Sequence, residues 1–173
     1  LFADSTNVER QGYTLSEKSV GKTFINLFDD APARIIVATF ASNVHRIQQV
    51  ISAAEHFNKR VALSGRSMIN TVNVARELGY IKVNEKTIID INDINRYRPN
   101  EIVLLTTGSQ GEPMSAMTRM ANGTHRKVHL DPTDTVILSA TPIPGNDNQV
   151  SSVINKLMEM GVKVIYSSLA DVH

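Results

Sequence analysis

The sequence predicts an α/β domain, a mostly parallel sheet flanked by helices on both faces, and two observations carry that prediction. Short runs of Ile, Val and Leu alternate with stretches in which apolar residues recur every three or four positions. Strands that are apolar throughout, instead of alternating, belong to sheets covered on both sides. In addition, four runs end in small, hydroxyl-bearing or Gly residues just before a helical pattern. These are Thr39-Phe40-Ala41-Ser42-Asn43, Leu63-Ser64-Gly65-Arg66-Ser67, Thr106-Thr107-Gly108-Ser109-Gln110-Gly111 and Ser139-Ala140-Thr141-Pro142-Ile143-Pro144-Gly145-Asn146. In a parallel sheet such loops emerge together at the carboxyl edge, where helix amino termini and free backbone N–H groups point. That edge suits a phosphate or another anion.

Each element has its own signal. Leu1-Phe2-Ala3 reads as a strand, with Asp4-Ser5-Thr6-Asn7 after it. Beyond a loop containing Gly12, Ser16 caps a helix through about Asp30, on which Leu15, Val20, Phe24, Leu27 and Phe28 approximate one face. Pro32 ends it. Arg34 to Phe40 reads as a buried strand, and Val44, Ile47, Val50, Ile51 and Ala54 then recur at helical spacing. Val61-Ala62-Leu63 is a short strand, followed by a helix from about Ser67 to Leu78 closed by Gly79. Thr87 to Ile91 is a short strand, and Asn92 to Arg98 a polar connector or single helical turn before Pro99. Glu101 to Thr107 is a strand, and Pro113 sits in the first turn of the next helix, with Met114, Met117 and Met120 on one side. The basic stretch His125-Arg126-Lys127-Val128-His129 reads as a solvated strand edge, with nucleic-acid contact as the other reading. It leads through Asp131-Pro132 into a strand from Thr135 to Ser139. Val150, Val153, Ile154, Leu157 and Met158 mark a last amphipathic helix, stopped near Gly161 before the strand Val162 to Tyr166.

Composition narrows the classes. With 173 residues, 42% apolar and 20% charged, the chain fits one globular domain. No apolar stretch approaches the roughly 20 residues needed to span a bilayer, and no basic leader precedes an apolar core, so a soluble protein without membrane partners is expected. The absence of cysteine excludes disulfides, thiol catalysis and thiolate metal sites within the chain, and fits a reducing cytoplasm. A formal charge of +1 gives no general attraction to nucleic acid, so any such binding is local. His45, His56, His125, His129 and His173 show no H-x-E-x-x-H or H-x-H-x-D-H spacing, hence no complete metal site. The loops lack the Gly-Lys-Ser/Thr ending of a P-loop and any G-x-G-x-x-G, against an ordinary NTPase or dinucleotide dehydrogenase.

Several residues at the loops have both a bland and a functional reading. Gly65, Arg66 and Ser67 suit a cluster of phosphate oxygens, through close backbone approach, a planar fork of donors and a hydroxyl; they equally suit a strand-to-helix turn with a surface Arg. Gly108, Ser109, Gln110 and Gly111 offer backbone N–H groups to an anion, although the carboxylate of Glu112 is placed to take them instead. Ser42 and Asn43 suit helix capping, with His45 just inside the helix as a packing residue or a ligand contact. Asp4 suits a turn, or a carboxylate presented at a strand end.

Taken together and in order, Phe2-Ala3-Asp4-Ser5-Thr6-Asn7, Thr39-Phe40-Ala41-Ser42-Asn43-Val44-His45-Arg46, Gly65-Arg66-Ser67-Met68, Thr107-Gly108-Ser109-Gln110-Gly111-Glu112-Pro113 and Pro142-Ile143-Pro144-Gly145-Asn146 resemble the bacterial ribonuclease J family. The resemblance covers essentially the whole chain. It corresponds to the β-CASP domain, a Rossmann/flavodoxin-like three-layer unit that this family inserts into a metallo-β-lactamase domain. It implies residues 1–10 at the edge of the metallo-β-lactamase domain and 11–173 as the β-CASP domain, ending at the junction back. The chain ends accordingly read as cuts through a larger protein. It further implies a cytoplasmic 5′-to-3′ exoribonuclease and endoribonuclease in RNA processing and decay. Two zinc ions would activate water, with ligands upstream of Leu1 and in an H-x-S-G-H segment beginning at His173. Asp4 would serve catalysis beside the metals by orienting the groups that hold them, without ligating them itself. Ser42, Asn43, His45, Gly65, Arg66 and Ser67, with Gly108 to Gly111, would contact single-stranded RNA, especially its 5′-monophosphate. The fragment alone would be inactive, and the full-length protein would form homo- or hetero-oligomers with paralogues. Two other readings stay open: a non-catalytic paralogue acting as an assembly partner, and more remotely a flavodoxin-like nucleotide binder.

Overall fold

The computed structural model describes residues 17–172 of the chain. Expectations that fall on Leu1 to Ser16, Asp4 among them, and on His173 lie outside those residues. The elements run α1 (Glu17–Asp29), β1 (Ile35–Ala38), α2 (Val44–His56), β2 (Arg60–Ser64), α3 (Arg66–Glu77) and β3 (Ile88–Ile89). They continue through 3₁₀ segments at Ile91–Arg96 and Pro99–Glu101, then β4 (Ile102–Thr106), α4 (Ala116–Ala121), β5 (Thr135–Leu138), α5 (Asp147–Glu159) and β6 (Lys163–Tyr166). All six strands are parallel, in the order β3-β2-β4-β1-β5-β6.

Burial explains why these runs are strands. β1, β4 and β5 are buried at every position, and their alternate side chains feed two separate apolar cores. Ile35, Val37, Val61, Leu63, Val103, Leu105 and Ile137 face α1, α2 and α3. Ile36, Ala38, Ala62, Ile102, Leu104, Val136 and Leu138 face α4, α5 and Val128. A sheet sandwiched in this way must be apolar on both faces, which is the composition seen. At the amino edge Arg34 pins β1 to β5, its Nη2 donating to Asp134 Oδ2 at 2.5 Å and its Nε to Oδ1 at 3.2 Å. No helix among the described residues is long and apolar enough to cross a membrane.

The strand order locates the site. The chain leaves β1 and β2 for helices on one face and β4 and β5 for helices on the other, and β4 lies between β1 and β2. Neighbouring loops therefore diverge to opposite faces along the centre of the sheet, opening crevices at its carboxyl edge.

Two details differ from the sequence reading. Pro113 does not open α4. The chain turns through Glu112 to Ser115 first, α4 starts at Ala116 under the cap of Ser115, and Met114 stands 83% exposed while Met117 and Met120 are buried. The basic stretch from His125 is not a strand edge either: it forms no strand, and His125 is buried at 6% exposure.

Candidate functional site

Each of the four central strands ends on, or is followed at once by, a small hydroxyl residue. In spatial order these are Ser64, the last residue of β2, Thr106, the last of β4, Thr39 just after β1 and Ser139 just after β5, all buried. They are stitched sideways. Thr39 N–H donates to Thr106 O at 3.1 Å, Ser139 N–H to Ala38 O at 2.8 Å, and Thr39 Oγ1 to Ser139 O at 3.2 Å. Small side chains let the loops above approach one another, and the hydroxyls of Thr39 and Thr106 satisfy the carbonyls of Ser139 and Thr107. The band is the floor of the edge.

Above Ser64, Gly65 adopts φ +103°, a left-handed conformation, and a Cβ there would stand 2.6 Å from Thr107 Oγ1. Only Gly fits, because the second and third loops touch at this point. Gly65 is also the N-cap of α3 and supplies no side-chain cap, and the first turn of that helix carries no acid. Arg66 and Ser67 are exposed at the same turn, and Arg66 has no hydrogen-bond or ion-pair partner among the described residues. An uncapped helix amino terminus next to an unpaired guanidinium is a place where an anion satisfies both.

The first loop is closed differently. Asn43 Oδ1 accepts the Arg46 N–H at 3.0 Å and so caps α2 itself, while Ser42 and His45 are exposed beside it. Asn43 Oδ1 thus caps α2, and Ser42 in the loop and His45 in the first turn of α2 present exposed side chains beside it.

The third loop is buried throughout, from Gly108 to Gly111. Gly108 and Gly111 have φ +105° and +72°, and a Cβ would meet Ser115 Oγ at 2.2 Å and the Gln149 backbone carbon at 2.6 Å respectively. Glu112 Oε2 accepts the Gln110 N–H at 3.2 Å, and Gly108 O accepts that of Gly111 at 3.3 Å. The carboxylate of Glu112 therefore holds part of the position an anion would take. Gln110, 2% exposed, ties the fourth loop down: its Nε2 donates to Thr141 O at 3.0 Å, and its Oε1 accepts from Ile143 N at 2.8 Å and Asn146 Nδ2 at 3.3 Å. Gly108, Ser109, Gln110 and Gly111 thus form a buried loop joined to the fourth one, with Ser109 as buried as Gln110.

Sequence reasoning missed two residues that support the edge. His125 reaches Ser64 from the α4 side, Nε2 to Oγ 3.1 Å, while its Nδ1 accepts the N–H groups of Lys127 at 3.3 Å and Val128 at 3.1 Å. With Nδ1 accepting, the proton sits on Nε2 and is donated to Ser64. The ring is held neutral: burial first, then the charges of Arg119 and His129, lower its pKa below the ordinary 6.5. Ser64 is thus not activated as a nucleophile, since the imidazole donates to it. The second residue is Arg46, fully buried, joined to Gln49, Ser139 and the Val172 carbonyl. It lies four residues before Val50 on the apolar stripe of α2, which is the signal that identifies it.

Among the described residues no group of three or more His, Asp or Glu is placed to hold a metal ion. The described edge therefore does not fit a resident zinc pair, while its exposed Arg66 and uncapped helix terminus suit an anion.

The family model described as "Ribonuclease J, beta-CASP domain" matches residues 32–157. The whole chain is 47% identical to the ribonuclease J of Mycolicibacterium smegmatis, covering 31% of that protein. It is 45% identical to that of Thermus thermophilus, covering 30%, and 44% identical to that of Helicobacter pylori strain 26695, covering 25%. The chain thus spans between a quarter and a third of the curated relatives it matches.

Proposed function

Because the chain belongs to the ribonuclease J family, as its β-CASP domain, we propose that it forms one wall of the RNA cleft of a zinc-dependent ribonuclease and grips the 5′-monophosphate of single-stranded RNA. The observation that carries this reading is the amino terminus of α3. There Gly65 leaves the first turn uncapped, no acid competes, and Arg66 is exposed and unpaired among the described residues. Ser67 adds a hydroxyl, and Ser42 on the loop after β1, with Asn43 capping α2 and His45 in its first turn, lies where following nucleotides would be contacted. Gly108 to Gly111 form the neighbouring strip of the edge, with Gln110 tethering the fourth loop to it.

In this reading hydrolysis is carried out with zinc ligands upstream of Leu1 and in the segment beginning at His173. Asp4 serves beside the metals in this reading, and the isolated chain is inactive. The full-length protein degrades RNA from its 5′ end and also cuts internally, in the cytoplasm and as an oligomer with itself or a paralogue. Arg66→Ala in the full-length protein tests the assignment: degradation of 5′-monophosphorylated RNA falls more than internal cutting. Equal losses in both contradict a terminal-phosphate site. Intact RNA binding in a full-length protein that cleaves nothing identifies the non-catalytic assembly partner instead.

A further inference from the structure

Arg46 is the largest fully buried side chain of the described residues, and it is charged. Its Nε donates to Gln49 Oε1 at 3.0 Å, and its Nη1 donates both to Ser139 Oγ at 2.5 Å and to the carbonyl of Val172. The Ser139 hydroxyl donates to that same carbonyl at 2.5 Å. One residue earlier, Asp171 Oδ2 accepts from Ser19 Oγ on α1 at 2.6 Å, and Val172 is itself buried in the core beneath α1 and α2. The stretch after β6 has little regular structure of its own, so these contacts from α1, α2 and the loop after β5 define its course.

A buried guanidinium is a costly filler. An apolar side chain of similar volume stabilises a core as well or better, whereas only a planar fork with several donors joins a helix, a strand-end hydroxyl and a backbone carbonyl at one point. Those three belong to α2, the residue that follows β5 and the departing chain, so all meet at the carboxyl edge.

We propose that Arg46 is a positioning residue: by fixing the Val172 carbonyl against Ser139, it sets the direction in which the chain leaves the RNA-binding edge and so orients what continues through His173. The proposal rests on the functional reading above. Arg46 touches no substrate in it, and its loss acts on the rate of reaction through the departing segment, leaving RNA binding at α3 in place.

The test uses the full-length protein with Arg46→Lys, Arg46→Met and Ser139→Ala. Hydrogen exchange is followed in the peptide spanning 167–173, together with kcat and the Kd for non-cleavable 5′-monophosphorylated RNA. Arg46→Lys is expected to speed exchange in that peptide about ten-fold against an unchanged β1 and β4, and to lower kcat about ten-fold with Kd within about two-fold. Arg46→Met exceeds it, and Ser139→Ala, which removes one of two donors without burying a new charge, moves both readouts the same way by less. If Arg46→Met fails to fold, the other two variants carry the comparison. Exchange that stays unchanged in 167–173, loosening with kcat intact, or a Kd that rises in step with the fall in kcat overturns the proposal. Failure of the functional reading would show separately, as Arg66→Ala leaving discrimination for the 5′-phosphate unaltered.

Discussion

Replacing Arg66 by Ala removes the guanidinium and leaves the amino terminus of α3 in place, which separates two contributions to phosphate binding. A hydrogen-bonded Arg–phosphate pair contributes about 1.5–3 kcal/mol. Because Arg66 is exposed, solvent screening places it at the low end, about 1.5 kcal/mol, or about ten-fold in Kd. The helix terminus retains its own contribution of about 0.3–1 kcal/mol, so binding is weakened and not abolished. The assay is fluorescence anisotropy of the full-length protein with matched non-cleavable RNAs bearing 5′-monophosphate or 5′-hydroxyl ends, over a range of salt. Arg66→Ala should cost about ten-fold on the phosphorylated RNA and lower the salt dependence by about 0.7 in log–log slope, the value of one lost contact to a single strand. The hydroxyl RNA should bind nearly as before. Equal weakening on both RNAs, or none on either, refutes the reasoning.

Gly65→Ala should destabilise by about 1–3 kcal/mol, since the φ of +103° is nearly Gly-only and the new Cβ would meet Thr107 Oγ1 at 2.6 Å; a urea midpoint equal to wild type would show that the loops separate freely. Gln110→Leu should cost about 1–3 kcal/mol by stranding the buried partners at Thr141 and Ile143, and should speed proteolysis at the loop 140–146. His125→Asn should cost stability in the same range and change its pH dependence. The folded-state pKa of His125 is lowered below 6.5, so its contribution is fully present above that value and is lost as pH falls through the lowered folded value. Wild type should therefore weaken across that acid window and His125→Asn should not; parallel curves for the two proteins would contradict the neutral, doubly accepting ring.

The strands were legible because a sheet covered on both faces demands unbroken apolar runs, and Arg34 to Phe40 and Glu101 to Thr107 contain β1 and β4 with a residue or more to spare. The four loops at one edge were legible for the same reason, as consequences of parallel strands. Strand order was not: placing β4 between β1 and β2 depends on long-range pairing such as Ile36 with Leu104, which no local pattern encodes. Pro113 misled because Pro is favoured in a first helical turn, whereas Ser115 caps α4 by accepting the Thr118 N–H at 3.2 Å. His125 stood in a run of cations whose average looked solvated, and its burial follows from Ser64 some 61 positions away. Within the candidate site, Arg66 and Ser67 lie exposed as a ligand contact requires. The third loop, with equally suitable residue types, turns its polar groups inward, because Glu112 and the fourth loop already use them.

The most direct measurement is a structure of the full-length protein with a non-cleavable 5′-monophosphorylated RNA. The account predicts the terminal phosphate at the amino terminus of α3, with oxygens about 3 Å from the Arg66 guanidinium and the first-turn N–H groups. A terminal phosphate bound away from Gly65, Arg66 and Ser67, with α3 left facing solvent, would contradict it.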